Sequence, residues 1–372
     1  MLYRILRKLS IAYLFLKILA PFIHGKRELP DLDAAFNGLS KLSPDPKGSC
    51  ICAGRERKMS KDFDLDIIVP SYNSEKTIES CLHSVLEQKC SFRFRLIVID
   101  DGATDRSPEL IDKFSQDPRV LIIHQKNKGF SGARNAGLAV SDAKYIMFLD
   151  SDDSLCEGAI ENLMQCIYCN GAAVAEGAFN AVSPNGKIRS TTSHKAGQLN
   201  PRNDMTGYVW GKIFEAELFN GICLPLDYWY EDSLIAQIIY PLIENRNKTA
   251  YGISEAVYNY TINPSGITAT SRKNKKCVDS LWITLQLYKD RCTLGLEKDA
   301  RYYEYILSMV RLTYLRCEAL PEDAKKFIFV IWNNFINKEF QTFTTSNPKK
   351  EILQSAIRSG NYELYALACK LI

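Results

Sequence analysis

A chain of 372 residues suffices for one large domain or two ordinary ones and buries a core without disulfide staples. Its 46% hydrophobic and 24% charged content is that of a globular protein. A net charge of +4, with no dense basic stripe interleaved with aromatics, excludes nucleic acid as the evident partner.

The first thirty residues differ from the rest. On a helical wheel Arg4, Arg7 and Lys8 share one face, while Leu2, Ile5, Leu6, Leu9 and Tyr13 share the other; Ile11 to Ile23 is apolar nearly all round except Lys17. The stretch falls short of the ~20 residues of a membrane span, and no signal-peptide cleavage site follows. Residues 1–25 are therefore expected to lie on a membrane surface as a monotopic anchor, with basic side chains toward anionic headgroups. An amphipathic helix docked on the protein's own core is the competing reading. Residues 26–63, rich in Pro, Gly, Asp, Ser and Lys, read as a linker.

From Asp64 the pattern changes to β-branched runs at Leu65–Pro70, Phe94–Ile99, Val120–Ile123 and Tyr145–Leu149, separated by helical periodicity at about 74–89, 105–117 and 129–140. Strands alternating with helices imply an α/β fold with a mostly parallel sheet. Ligands of such sheets gather beyond the carboxyl ends of the strands. The first run ends there in Pro70-Ser-Tyr-Asn73 and the second in Asp100-Asp101-Gly102, while the third leads to Asn127-Lys-Gly129 and the fourth gives Asp150-Ser-Asp152. Asp150 and Asp152 are spaced to hold a hard divalent cation, Mn²⁺ or Mg²⁺, against a diphosphate; the same residues are also turn and helix-cap chemistry. The glycines from Gly129 to Gly137 fit neither a Walker loop nor Gly-x-Gly-x-x-Gly. They open a helix whose free N–H groups and Arg134 could face an anion.

The order Ile67-Ile-Val-Pro-Ser-Tyr-Asn73, Ile97-Val-Ile-Asp-Asp-Gly-Ala-Thr-Asp105, Asn127-Lys-Gly-Phe-Ser-Gly-Ala-Arg-Asn-Ala-Gly137 and Tyr145-Ile-Met-Phe-Leu-Asp-Ser-Asp-Asp153 resembles the family 2 glycosyltransferases, nucleotide-sugar enzymes of the GT-A fold. Trp210-Gly-Lys-Ile-Phe214 with Tyr230-Glu-Asp232 is similar to the acceptor half of that domain, and nothing after Thr270 bears a resemblance. The resemblance implies a GT-A domain over 64–270, with a nucleotide-sugar half (64–160) and an acceptor half (161–270). It implies that Pro70 and Tyr72 line the nucleotide pocket, that Asp101 reads uracil beside a structural Asp100, and that Arg134 lies near the diphosphate or sugar. Asp150 would bind the sugar nucleotide and Asp152 the metal, Asp153 would cap the next helix, and Asp232 would be the general base of an inverting transfer. Trp210 and Lys212 are candidates for a sugar wall, or core.

Ala172–Phe179 reads as a strand followed by a turn at Ser183–Lys187, the segment 259–271 as a loop closing over the nucleotide, and 271–372 as a helical subdomain that packs on the catalytic domain or pairs with a second copy as a homo-oligomer. Cys166-x-x-Cys169 lacks a second pair and reads as core. Twelve scattered cysteines and four histidines without ligand spacing fit a reduced, cytosolic setting.

The expected function is thus metal-dependent transfer of a hexose from a UDP-sugar to a glycan or lipid-linked acceptor at the cytoplasmic face of the membrane. The competing readings are a nucleotidyltransferase, a scaffold on a decayed transferase domain, and a lumenal protein in which Asn247-Lys-Thr249 and Asn259-Tyr-Thr261 are glycosylation acceptors.

Overall fold

The computed structural model describes residues 16, 18–23, 28–52, 59, 62–264 and 266–371. The chain forms two compact units: Gly48–Pro264 with Gln286–Leu296, and Met1–Lys47 with Ser265–Leu285 and Glu297–Ile372.

In the first unit the described residues build ten strands into one sheet. β1 (Leu65–Ser71), β2 (Phe94–Asp100), β3 (Val120–His124) and β4 (Tyr145–Phe148) are mutually parallel, in the order β3-β2-β1-β4. β1 and β4 are buried throughout, which is why these segments are apolar at consecutive rather than alternate positions. The helix Gly129–Val140 follows β3 and lies so close to β1 that a Cβ on Gly137 would stand 2.4 Å from Ile68 Cγ2. Glycine at 137 is thus a packing requirement.

Asp66 is fully buried within this apolar strand. Its carboxylate takes two bonds from Arg95, at 2.8 and 3.0 Å, and two from the Asp142 and Ala143 N–H groups, so its charge is paired and hydrogen-bonded.

Beyond β4 the sheet changes sense. β5 (Ser154–Leu155), β6 (Val174–Val182), β7 (Ile188–Thr192), β8 (Gly197–Leu199), β9 (Lys212–Glu215) and β10 (Ala250–Thr261) extend the order to β3-β2-β1-β4-β9-β6-β10-β5, with β7 beside β6 and β8 beside β10. β9 is antiparallel to both β4 and β6. The expectation of a mostly parallel sheet therefore describes the first four strands, while the second half is mixed. The expected turn after β6 is present: Ser183 N–H donates to Lys187 O in the β6–β7 hairpin.

Two further expectations need correction. Asp153 caps no helix; it is buried and bonded to β10. Cys169 is exposed at the end of the helix Ala159–Asn170, and only Cys166, one turn earlier, is half-buried.

The second unit is helical: Leu32–Leu42, Ala300–Arg316, Glu322–Glu339, Pro348–Arg358 and Tyr362–Leu371, with the start of Asp279–Thr293. The segment expected as linker contains the first of these. Asp31 caps it by accepting the Ala34 N–H at 2.7 Å, and Ala35 and Leu39, four apart, are fully buried. The Pro and Asp content that suggested a loop is helix-start chemistry. Trp282 stacks on Phe36 and donates Nε1–H to Ser43 O at 2.9 Å, while Trp332, Tyr303 and Tyr365 are buried, so these aromatics are core. The predicted anchor at 1–25 falls mostly outside the described residues, which within it are helical at Leu16, Ile18 and Leu19 and form a 3-10 turn at Ala20–Phe22. Among the described residues no helix is long and apolar enough to cross a membrane.

Candidate active site

The ends of β1 and β2 are laced into one rigid rim. After β1 the chain turns through Asn73, at φ 49°, whose Oδ1 accepts the Thr104 N–H at 2.8 Å. Ser74 N–H donates to Ser107 Oγ at 2.8 Å, and Glu75 N–H to Asp105 Oδ2 at 3.0 Å. After β2, Gly102 adopts φ 70°, with its Cβ position 2.9 Å from Asn127 N. A side chain there would meet backbone, which explains the glycine after two aspartates.

Asp100 and Asp101 divide the work. Asp100 accepts the Ala103 N–H at 3.0 Å and faces His124 Nδ1 at 2.8 Å, so it is structural. Asp101 Oδ1 accepts Gln125 Nε2–H at 2.7 Å and the Lys128 N–H at 2.9 Å, tying β2 to the loop before the helix Gly129–Val140. Pro70 is buried at the end of β1 and Tyr72, next along, is 49% exposed, so Pro70 backs the rim and Tyr72 presents a ring to solvent.

The helix Gly129–Val140 supplies the central contact. Arg134, 5% exposed, donates Nη2–H to Asp150 Oδ1 at 2.6 Å and Nη1–H to Glu231 Oε1 at 2.5 Å, with its guanidinium 5.8 Å from the Phe130 ring. Burial disfavours its charge, but the Asp150, Glu231 and Asp232 carboxylates outweigh that and hold it firmly protonated. The next residue, Asn135, makes a reciprocal pair with Leu224, donating to its O and accepting from its N–H, both at 2.8 Å. Two adjacent side chains of one helix thus bind the distant segment 224–231.

The Asp150–Asp153 turn is anchored from below by Tyr258 of β10, which donates to Asp153 Oδ2 at 2.7 Å and lies 3.2 Å from Asp150 N. Thr261 N–H adds 2.6 Å to Asp153 Oδ1. Burial, then the charges of Asp150 and Asp152, push Asp153 up to about 8. Burial and Asp150 also raise Asp152, against a bond from Asn263. Crowded carboxylates of this kind fit a hard cation, whose charge would relieve the repulsion. Among the described residues no three His, Cys, Asp or Glu side chains converge into a cage. A cation held by Asp152 would therefore complete its shell with phosphate oxygens and water, as Mg²⁺ does with one or two carboxylates.

Glu231 and Asp232 follow Tyr230, which sits at φ 67°, a left-handed conformation costly for a bulky residue. They precede a π-helical turn, Ile235–Ile239, of the kind frequent at functional sites. Pro241 lacks the N–H that would reach Gln237 O, and Arg291 Nη1–H donates to that carbonyl instead. Burial raises Glu231 to about 7, with Arg134 opposing and Asp232 reinforcing. Asp232 is partly exposed.

Lys212 lies outside any sugar-facing wall: it is fully buried, 2.8 Å from Glu176 Oε1, and donates to Thr206 O at 2.9 Å and Tyr240 Oη at 3.1 Å. The Lys212 and His194 partners hold Glu176 down, to about 2, against its burial. Trp210 is 8% exposed between Tyr208 and Tyr258.

The structure therefore brings together Arg134, Asp150 and the Glu231-Asp232 pair, with Asp152 on the same turn as Asp150; Pro70, Tyr72 and Asp101 stand on the β1–β2 rim. Sequence reasoning missed Glu231 as the partner of Arg134, Asn135 as a tie and Tyr258 as the support of the acidic turn. Asn135 and Glu231 each lie inside a motif visible in the sequence, Asn127–Gly137 and Tyr230-Glu-Asp232, whereas Tyr258 carries no such signal.

Residues 66–218 match the family model described as glycosyl transferase family 2. The glycosyltransferase GlyA of Streptococcus pneumoniae serotype 4 is 30% identical over 230 residues, 56% of this chain and 32% of that protein. The glycosyltransferase EpsJ of Bacillus subtilis, described as uncharacterized, is 29% identical over 220 residues, 55% of this chain and 62% of its own. The minor teichoic acid biosynthesis protein GgaB of B. subtilis is 28% identical over 240 residues, 60% of this chain and 26% of its own. The chain spans less than two thirds of each of these relatives. S. aureus TarS 1–349, solved in complex with UDP-GlcNAc, superposes with a TM-score of 0.62 at 18% identity, covering 82% of this chain and 89% of that one, a likeness of fold.

Proposed function

We propose, from the premise that this chain belongs to glycosyl transferase family 2 over residues 66–218, that it transfers a hexose from a UDP-sugar to a hydroxyl of a cell-surface glycan or its lipid-linked precursor, inverting the anomeric centre. The observation that carries the reading is the Arg134 fork, which joins Asp150 of the acidic turn to Glu231 beside Asp232. One guanidinium thereby sets the spacing between a diphosphate-side carboxylate and a base. A scaffold with a decayed site has no reason to keep that arrangement.

The donor proposed is of the class held in the TarS complex, and the acceptor class follows the teichoic acid role in the name of GgaB. Tyr72 and Asp101 take the uracil end, and Asp101 Oδ2 is the oxygen left for a base N–H, since Oδ1 is committed to Gln125 and Lys128. Asp150 and Arg134 orient the sugar and diphosphate. Asp152 would hold a divalent cation, which when bound supplies charge stabilisation to the departing diphosphate. Asp232 accepts the proton of the acceptor hydroxyl as that oxygen attacks the anomeric carbon from the face opposite the nucleotide.

The experiment is UDP release from a panel of UDP-sugars with Mn²⁺ or Mg²⁺, then with chelator and with Asp152→Asn. Metal-dependent release that the variant abolishes is expected; full activity of Asp152→Asn, or no release from any UDP-sugar, overturns the assignment. Membrane association rests on the basic and apolar faces of residues 1–25. Their deletion should move the protein from the membrane pellet to the supernatant, and an unchanged pellet fraction sinks that part.

A further inference from the structure

Asp100 and Asp101 end β2 as two adjacent carboxylates, almost fully buried at 4% and 2% exposure. Like charges so placed repel, and each carboxylate needs partners of its own. The end of β3 supplies them in the same order. In the parallel register Asp100 lies beside His124, and the Gln125 N–H continues the ladder to Asp100 O at 2.9 Å. Successive side chains of an extended strand point to opposite sides, so the register that gives His124 to Asp100 gives Gln125 to Asp101. His124 Nδ1 stands 2.8 Å from Asp100 Oδ2, and Gln125 Nε2–H donates to Asp101 Oδ1 at 2.7 Å.

His124 also reaches a third element. Its Nε2 lies 3.1 Å from Oδ1 of Asp112, the last residue of the helix Ser107–Asp112, so both ring nitrogens face ionised carboxylates, which only accept. The imidazolium, with two N–H donors, is the form that satisfies both, and the bond to Asp100 raises its proton affinity against partial burial. Asp100 is thereby committed twice, through Oδ2 to His124 and through Oδ1 to the Ala103 N–H at 3.0 Å. Asp101 Oδ1 is held by Gln125 and by the Lys128 N–H at 2.9 Å. Of these four oxygens, Asp101 Oδ2 is the one that the bonds leave over. The turn beyond is close-packed as well, with the Cβ position of Gly102 3.1 Å from Gln125 O.

We propose that His124 and Gln125 are positioning residues for the nucleobase of the donor: by fixing Asp100 and Asp101 from adjacent places at the end of β3, they present Asp101 Oδ2 to the N3–H of uracil. This rests on the UDP-sugar reading above. A carboxylate free to rotate loses that freedom when a base binds, whereas one pinned at Oδ1 by two donors has lost it already. His124 serves the same end indirectly, since its positive charge occupies Asp100 and so separates the roles of two neighbouring carboxylates.

The test is calorimetric titration of the full chain, in Mg²⁺ buffer, with UDP and with its N3-methyl analogue, which lacks the N–H that Asp101 would receive. The wild type is expected to prefer UDP by about tenfold or more, the scale of a hydrogen bond to a charged group. His124→Leu and Gln125→Leu should each weaken UDP about tenfold while leaving the analogue within about twofold, so that the preference disappears. His124→Asn, which keeps an N–H near the place of Nδ1, should restore most of it. In the UDP-release assay above, the leucine variants should raise the KM for the active UDP-sugar with kcat within about threefold. Equal weakening of both ligands would make the pair a tie of the fold alone and overturns the proposal, as does a preference that survives both leucine variants. A wild type that binds UDP and its analogue equally well reads no base N–H, which overturns the proposal and leaves UDP-sugar transfer standing. A wild type that binds neither overturns the UDP-sugar reading, and the clasp with it.

Discussion

Arg134 and Glu231, 97 residues apart in the chain, are joined at 2.5 Å inside the protein, and the same guanidinium holds Asp150 at 2.6 Å. The proposed donor end and the proposed base end of the site are thus parts of one buried ionic cluster, with Arg134 5% exposed.

Removing one member of such a cluster leaves buried charge unpaired. Arg134→Ala should cost about 3–5 kcal/mol of unfolding free energy, the range for breaking a buried pair from one side. Arg134→Lys keeps the charge but loses the planar fork, so it should retain more stability than alanine while losing transfer activity. Urea unfolding and UDP-sugar turnover measured on the two variants decide this. Equal stability of Arg134→Ala and wild type would show the fork to be energetically idle.

Asp232 is partly exposed and follows the strained Tyr230, a position suited to a group that meets substrate. Asp232→Asn should keep the fold and UDP binding, read by thermal shift with UDP, while transfer falls by about 10²–10⁴-fold, the usual contribution of a general base. Normal transfer in that variant would make Asp232 structural.

His194 predicts a pH dependence of stability. Its Nε2 lies 3.0 Å from Glu176 and its Nδ1 3.0 Å from Lys195 O, both acceptors, so the protonated ring with two N–H donors is the form that fits. Its bond to Glu176 raises its pKa, against burial and the nearby Lys212 charge. A raised folded-state value means that the stabilisation is complete below the unfolded value of about 6.5 and disappears as pH rises through the folded value. The Tm gap between wild type and His194→Leu should therefore be widest in mild acid and shrink in alkali. A pH-independent gap refutes the charged assignment.

How much of this was legible in the chain depends on the range of the interaction. The four parallel strands, the helix after β3 and the acidic turn were readable because period and composition report local burial: β1 and β4 are buried at every position and carry the consecutive apolar runs Ile67–Pro70 and Tyr145–Phe148 because both faces are covered. The helix Leu32–Leu42 was misread as linker because its Asp31 cap and a short buried face look the same as turn chemistry until a partner surface is known. Asp153 was misread in the same way, since one carboxylate can serve a helix end or a tyrosine on a strand 105 residues away.

The sequence by itself determined the order of the strands' polar endings and the residue types proposed to hold a diphosphate and a cation, while its family resemblance pointed to the carboxylate proposed as base. Only the tertiary structure decided which of those groups meet. Arg134 turned out to bridge Asp150 and Glu231, Asn135 to clasp Leu224, and Trp210 to be clamped between Tyr208 and Tyr258. The physical reason is that local periodicity reports which side of an element is buried, whereas partners are chosen by packing and electrostatics between segments that chain order does not relate.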